Sequence, residues 1–212
     1  MEPVLNPSET VFVQKMMQVA IQRAAKALSV LLNEQIESRT LKLEQQVELS
    51  KLLPQSTPEE TTQYLLLSLV KGDWTAQSFL ILNQDNVEKM AEIAPGSESS
   101  LKKALLLEVD NILTAAVVSE MVDLLELQAY GDVPQMIEGN KTLIYQTIAK
   151  SLEDFPLLFS LNVDFYTQTE SFSGVFIWCF PKGFHRIIQQ NSNNPKKQKK
   201  LSELWREEHG AD

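Results

Sequence analysis

Glu108-Val109-Asp110-Asn111-Ile112-Leu113-Thr114 opens the stretch from which the rest of the chain is read, residues 108–134. Its apolar pattern predicts a helix to about Leu127, broken at Tyr130-Gly131-Asp132-Val133-Pro134. At about 100° per residue, Leu105, Val109, Ile112, Leu113, Ala116 and Val117 fall on one stripe, the expected core face. Glu108 and Asn111 are three residues apart and project from neighbouring points of the opposite face. Ala104, Ala115, Val118 and Val122 flank that pair. A solvated helix face ordinarily carries Lys, Glu or Gln at such positions. Small and β-branched residues there leave room for another molecule, so the face reads as a docking surface.

Composition sets the outer limits. The 212 residues allow one large domain, or a domain with a tail, and 43% hydrophobic content is enough for a sizeable core. A formal charge of −9 argues against nucleic acid as the main ligand, because binding phosphate backbones needs a basic surface. No apolar run approaches the roughly 18 residues that a membrane span requires. Met1-Glu2-Pro3 lacks the basic and apolar regions of a signal peptide. The single cysteine, Cys179, excludes an internal disulfide and fits a reducing cytoplasm, the expected location.

Along the chain, Asn6-Pro7-Ser8-Glu9 is a helix-start signal with Asn6 or Ser8 as the cap. That helix is expected to reach about Asn33, with Val11, Met16, Val19, Ala20, Leu28, Leu31 and Leu32 supplying its apolar contacts. Residues 36–47 alternate imperfectly and read as a strand with one wet face. A short turn over 49–53 ends at Pro54, and 55–60 is a polar loop. The apolar runs 64–70 and 79–82, separated across Lys71-Gly72-Asp73, predict an antiparallel hairpin. Asn83-Gln84-Asp85 opens a helix stopped by Pro95-Gly96, and 97–100 form a capping cluster for the Glu108 helix. After Pro134, residues 140–152 read as a helix, 157–167 and 172–180 as a second hairpin, and 184–190 as a final helix. Each half thus runs long helix, extended segment, hairpin, short helix, a layout that suggests duplication. The tail, 191–212, changes composition: a linker ending at Pro195, then Lys196, Lys197, Lys199 and Lys200, then Leu201, Leu204 and Trp205 on one helical face. It reads either as a solvated, frayed terminus or as a docking helix.

Other chemistries find little support. His185 and His209 lie in different segments, and with one cysteine they form no metal-ligand spacing. Cys179 lies in a buried-strand context and reads as packing, as do Trp74, Trp178 and Trp205. No Gly-rich loop precedes a helix to cradle phosphates.

Glu108-x-x-Asn111, followed by 22 residues and Pro134 and containing Asn111-Ile112-Leu113-Thr114, resembles the CheC/CheX/FliY phosphatases of bacterial chemotaxis. The family pattern usually has Asp or Ser four residues before the Glu, where this chain has Ala104. The resemblance covers roughly residues 8–190. It implies an α/β fold of the α+β type, CheC-like, with two long helices on a mainly antiparallel sheet and an internal pseudo-twofold. Residues 1–190 would form that domain and 191–212 a basic linker and C-terminal tail. In the first half, residues 24–32 resemble the family's first long helix, which puts Lys15 and Gln18 where a Glu and an Asn would stand. Neither residue can substitute, so the first half reads as a scaffold copy.

The implied activity is hydrolysis of the aspartyl phosphate of a phosphorylated CheY-type response regulator. Asn111 would position the water, and Glu108 would pair with the regulator's active-site lysine. Ala104, Ala115, Val118 and Pro134 would form the docking surface around them. The chain would need no cofactor of its own, since the divalent metal, Mg, belongs to the regulator. A CheD-type deamidase and a second copy of the chain, forming a homodimer, are further partners the resemblance allows. The alternative is a non-catalytic adapter or flagellar-switch-like protein that uses the same fold to bind a regulator.

Overall fold

In the computed structural model, residues 5–40, 43–52, 58–94 and 99–209 are described. The expected Pro54 stop, the first half of the 55–60 loop, the Pro95-Gly96 break and the start of the 97–100 cap lie outside them. Helix α1 (Pro7–Leu32) begins with a reciprocal exchange that makes Asn6 the cap. Asn6 Oδ1 accepts from the Glu9 N–H at 3.0 Å, and Glu9 Oε2 accepts from the Asn6 N–H at 2.9 Å. Pro7, with no N–H to satisfy, follows at the first turn. The helix closes at Asn33, whose left-handed backbone (φ 54°) lets its N–H reach the Ser29 carbonyl.

Next come β1 (Glu37–Thr40), β2 (Glu44–Gln45), α2 (Leu49–Leu52), β3 (Gln63–Gly72), β4 (Ala76–Asn83) and α3 (Gln84–Ile93). The second half repeats the order with α4 (Ser99–Leu125), β5 (Ala129–Gly131), β6 (Gln135–Gly139), α5 (Lys141–Asp154), β7 (Leu157–Tyr166), β8 (Ser171–Phe180) and α6 (Phe184–Ser192). Helix α7 (Pro195–His209) is an addition without a counterpart.

All eight strands form one antiparallel sheet in the order β1-β7-β8-β4-β3-β5, with β2 also on β7 and β6 also on β3. Exchanging the halves reverses this order and leaves it unchanged, which is the expected pseudo-twofold. The axis falls between β4 and β8, where Phe79 faces Ile177. The small strands cross over: β1 and β2 of the first half edge the second half's hairpin, and β5 and β6 do the reverse.

Strand alternation divides the core. Leu80 and Leu82 of β4 meet α1 and α4, whereas Phe79 and Ile81 turn to the other face, under α2 and α5. Cys179 lies in that second layer, and burial pushes its thiol up to about 12, consistent with a packing role.

Several local expectations are corrected. Val11 points outward at 53% exposure rather than into the core. Within the strand expected over 36–47, the described residues show two short strands on β7, 37–40 and 44–45, and the Gln46 N–H also donates to the Leu158 carbonyl at 3.0 Å. The Glu108 helix ends at Leu125, stopped by Glu126 with φ 58°. The break expected at 130–134 contains β5, with β6 directly after it. In the tail, Leu201 is buried against α1, so this part of it is not solvated. Among the described residues, no helix is long and apolar enough to cross a membrane.

Candidate functional site

Helix α4 forms one wall of an open groove of about 420 Å³, with Ala104, Leu107, Glu108 and Asn111 lining it. The opposite wall is the turn Gly131-Asp132-Val133-Pro134. Two strand pairings on β3 hold that turn. β5 pairs through Val70–Gly131 and Gly72–Ala129, and β6 resumes at Leu67–Gln135. Between them the Asp132 N–H donates to the Leu69 carbonyl at 2.7 Å, and the Asp132 carboxylate takes the Lys71 ammonium at 2.5 Å. Gly131 faces α4, where a Cβ would sit in ordinary contact with Thr114 Cγ2 at 3.5 Å. Pro134 has no N–H to place, so it ends the turn without leaving a donor bare.

Glu108 and Asn111 are both exposed, and neither side chain makes a hydrogen bond or ion pair with the described residues. Ala104 and Pro134 join them in the groove. Ala115 is exposed on α4 outside the groove lining. Val118 does not belong with this set: at 5% exposure it is part of the core and presents nothing to a partner. Val118 lies on nearly the same helical face as Asn111 but two turns further on, where that face is buried in the core.

Directly beneath the groove lies a polar cluster that pattern reading passed over. Asp110 is fully buried, and its Oδ2 accepts from Ser68 Oγ at 2.7 Å. Beside it Ser78 Oγ and Thr114 Oγ1 are 3.0 Å apart. Burial pushes the Asp110 carboxyl up to about 7, opposed by the Ser68 hydroxyl. The signal for this cluster was present: Asp110 and Thr114 are one turn apart on the core side of α4, and Ser68 and Ser78 interrupt the two apolar strands of the first hairpin. Asp132 was also overlooked, having been read only as part of a chain break.

The sequence matches no family model and no curated protein. Solved structures do match. FliY of Thermotoga maritima superposes with a TM-score of 0.68 at 13% identity, over 97% of this chain and all of that one. FliM from H. pylori, in a complex with SpeE, gives 0.64 at 12% identity, over 90% of this chain and 99% of that one. The chemotaxis protein CheX from Desulfovibrio desulfuricans gives 0.51 at 9% identity, over 78% of this chain and 98% of that one. The chain has the CheC/CheX/FliY fold.

Within this CheC/CheX/FliY fold the two long helices can be compared residue by residue. Superimposing the left-handed residues that close them, Asn33 and Glu126, sets Lys15 against Glu108 and Gln18 against Asn111. Of the two first-half positions, Gln18 is engaged by the tail, whereas Lys15 lines a second groove of about 420 Å³ between α1 and α7. Trp205 of α7 donates from Nε1 to Gln18 Oε1 at 3.2 Å, and Lys15 Nζ lies 5.6 Å from the centre of the Trp205 ring. Asn111 of α4 is bare where its counterpart Gln18 on α1 is held by Trp205.

Proposed function

We propose that this protein is a phosphatase acting on the aspartyl phosphate of a CheY-type response regulator. The observation that supports it is the groove itself: Glu108 and Asn111 on α4 and Pro134, more distant in sequence, line one open cleft in which both polar side chains are exposed and unengaged. An acyl phosphate already polarised by its own site needs little covalent assistance. Its hydrolysis is limited by holding a water in line with the scissile bond. A neutral amide suits that task, because Asn111 can donate and accept without competing as a charge. Glu108 supplies the complementary contact, a carboxylate for the regulator's active-site lysine. The divalent metal bound by the regulator supplies charge to the phosphoryl oxygens. Cytoplasmic location goes with this reading.

The second reading, a non-catalytic adapter of the same fold, draws on Ala104, which stands where the family pattern has Asp or Ser. The two separate on phosphate release. Purified receiver domains phosphorylated with a small acyl phosphate are followed with and without the protein. Faster release from at least one of them supports the phosphatase, whereas binding without acceleration supports the adapter.

A further inference from the structure

Resting on the proposed docking of a response regulator at this groove, we infer that Asp132 is a second docking carboxylate, meeting a basic side chain of the regulator distinct from the active-site lysine assigned to Glu108. The groove's ionisable lining consists of Glu108 on one wall and Asp132 on the other, with no lysine, arginine or histidine among the described residues that line it. A free phosphate compound would therefore meet carboxylates and no lining cation, the nearby Lys71 being already paired with Asp132. A protein bearing exposed cations is the complementary occupant. The surroundings agree with a protein rather than a small molecule: Val133, which lines the groove, is 79% exposed, and Leu101, one turn before Ala104 on α4, is 52% exposed.

Asp132 is prepared for this role. Lys71 donates to Oδ2 and the Val133 N–H donates to Oδ1, and together they hold the carboxyl below its usual range, ionised. Each carboxylate oxygen accepts more than one hydrogen bond, and the Asp132 side chain is 45% exposed, so acceptor capacity remains for a partner. The Lys71 contact also fixes where the charge is presented, on the turn that carries Pro134.

The competing account is that Asp132 only braces the turn through Lys71. The two accounts differ in what happens when Lys71 is removed. Binding of receiver domains carrying beryllofluoride and Mg²⁺ as the aspartyl-phosphate mimic is measured for wild type, Asp132→Asn, Lys71→Ala and Glu108→Ala. Circular dichroism and melting confirm that each variant is folded. Asp132→Asn is expected to weaken binding about three- to tenfold, with a shallower salt dependence, the scale of a partly exposed charge pair. Lys71→Ala is expected to bind at least as tightly as wild type, because the carboxylate loses its internal competitor. Equal losses in Asp132→Asn and Lys71→Ala would overturn the inference in favour of bracing, and no loss in Asp132→Asn would overturn it outright. In either case a loss in Glu108→Ala would leave the phosphatase reading standing. If wild type binds no receiver domain, both fall.

Discussion

Asn111 carries a donor and an acceptor on a neutral amide, Glu108 carries a charge, and their positions on α4 make the two contributions separable. Asn111→Ala should lower the single-turnover dephosphorylation rate while regulator affinity is largely kept. Glu108→Ala should lower both, with a loss of about 2–5 kcal/mol where the charge is desolvated in the complex. Both residues are exposed, so neither change should move the melting temperature beyond a small surface effect. Normal turnover by both variants would make them ordinary helix-surface residues. Asp110, one residue before Asn111, faces the opposite way and behaves oppositely. Its carboxyl is raised from 3.8 to about 7 by burial, against the opposing Ser68 bond. Between those values the folded protein holds a proton that the unfolded chain has released, so this group's contribution to stability falls as pH rises from about 4 to 7. Above that range the buried charge costs at most about 4 kcal/mol. The check is the unfolding free energy of wild type and Asp110→Asn from pH 5 to 8. The gap between them should shift in favour of the variant with rising pH and then level off, whereas a constant gap would show that the carboxyl is not raised.

At the scale of elements, what could be read from the sequence depended on whether the determinants were local. Both long helices and both hairpins follow from apolar periodicity and from nearby caps such as Asn6 and Asn83, which take their hydrogen bonds within three residues. β5 and β6 do not: three and five residues long, with mixed burial, they exist because β3 offers its edge to them. The spacing from Asn111 to Pro134 therefore located the groove's second wall without revealing its conformation. Asp132 was passed over because its strand neighbours were unseen, and Val118 was misplaced because a helical face was extrapolated too far. The junction of that wall with the sheet is Gly72, with φ 143°, where a Cβ would lie 2.3 Å from the Gln128 carbonyl oxygen. Gly72→Ala should thus separate β5 from β3. The expected cost is about 1–3 kcal/mol in denaturant unfolding, with weakened regulator binding although no groove residue has changed. Wild-type stability and binding in that variant would mean that the turn is held by Lys71 and Asp132 alone.

Across the whole molecule, the repeated order of elements disclosed the duplication, but no local pattern could disclose that each half lends its small strands to the other's hairpin. Nor did composition show that the lysine-rich tail would lie on α1, since among the described residues of α7 Leu201 is the only fully buried apolar side chain. The two halves are also joined through one ion pair between the long helices. Arg23 Nη1 donates to Glu120 Oε2 at 2.6 Å, with the glutamate side chain wholly buried and the arginine 36% exposed. Burial pushes the Glu120 carboxyl up, and Arg23 pulls it back toward the charged form. Arg23 also reaches Glu208 of α7 at 3.6 Å, and Lys26 reaches the same carboxylate at 2.6 Å, so the charge that clamps the halves also tethers the added helix. Arg23→Met keeps most of the apolar stem but leaves Glu120 buried without its partner. Breaking a buried pair from one side costs about 3–5 kcal/mol, and the low end is expected here because the guanidinium is partly solvated. Arg23→Met with Glu120→Met should recover much of that loss, since neither charge is then stranded. Glu208→Ala removes a side chain that is 11% exposed, but its partners Arg23 and Lys26 stay partly solvated, so it should cost less, about 1–2 kcal/mol. Urea unfolding of the four proteins checks the pattern. If Arg23→Met costs no more than Glu208→Ala, Glu120 is neutral in the folded state and the pair does not clamp the halves together.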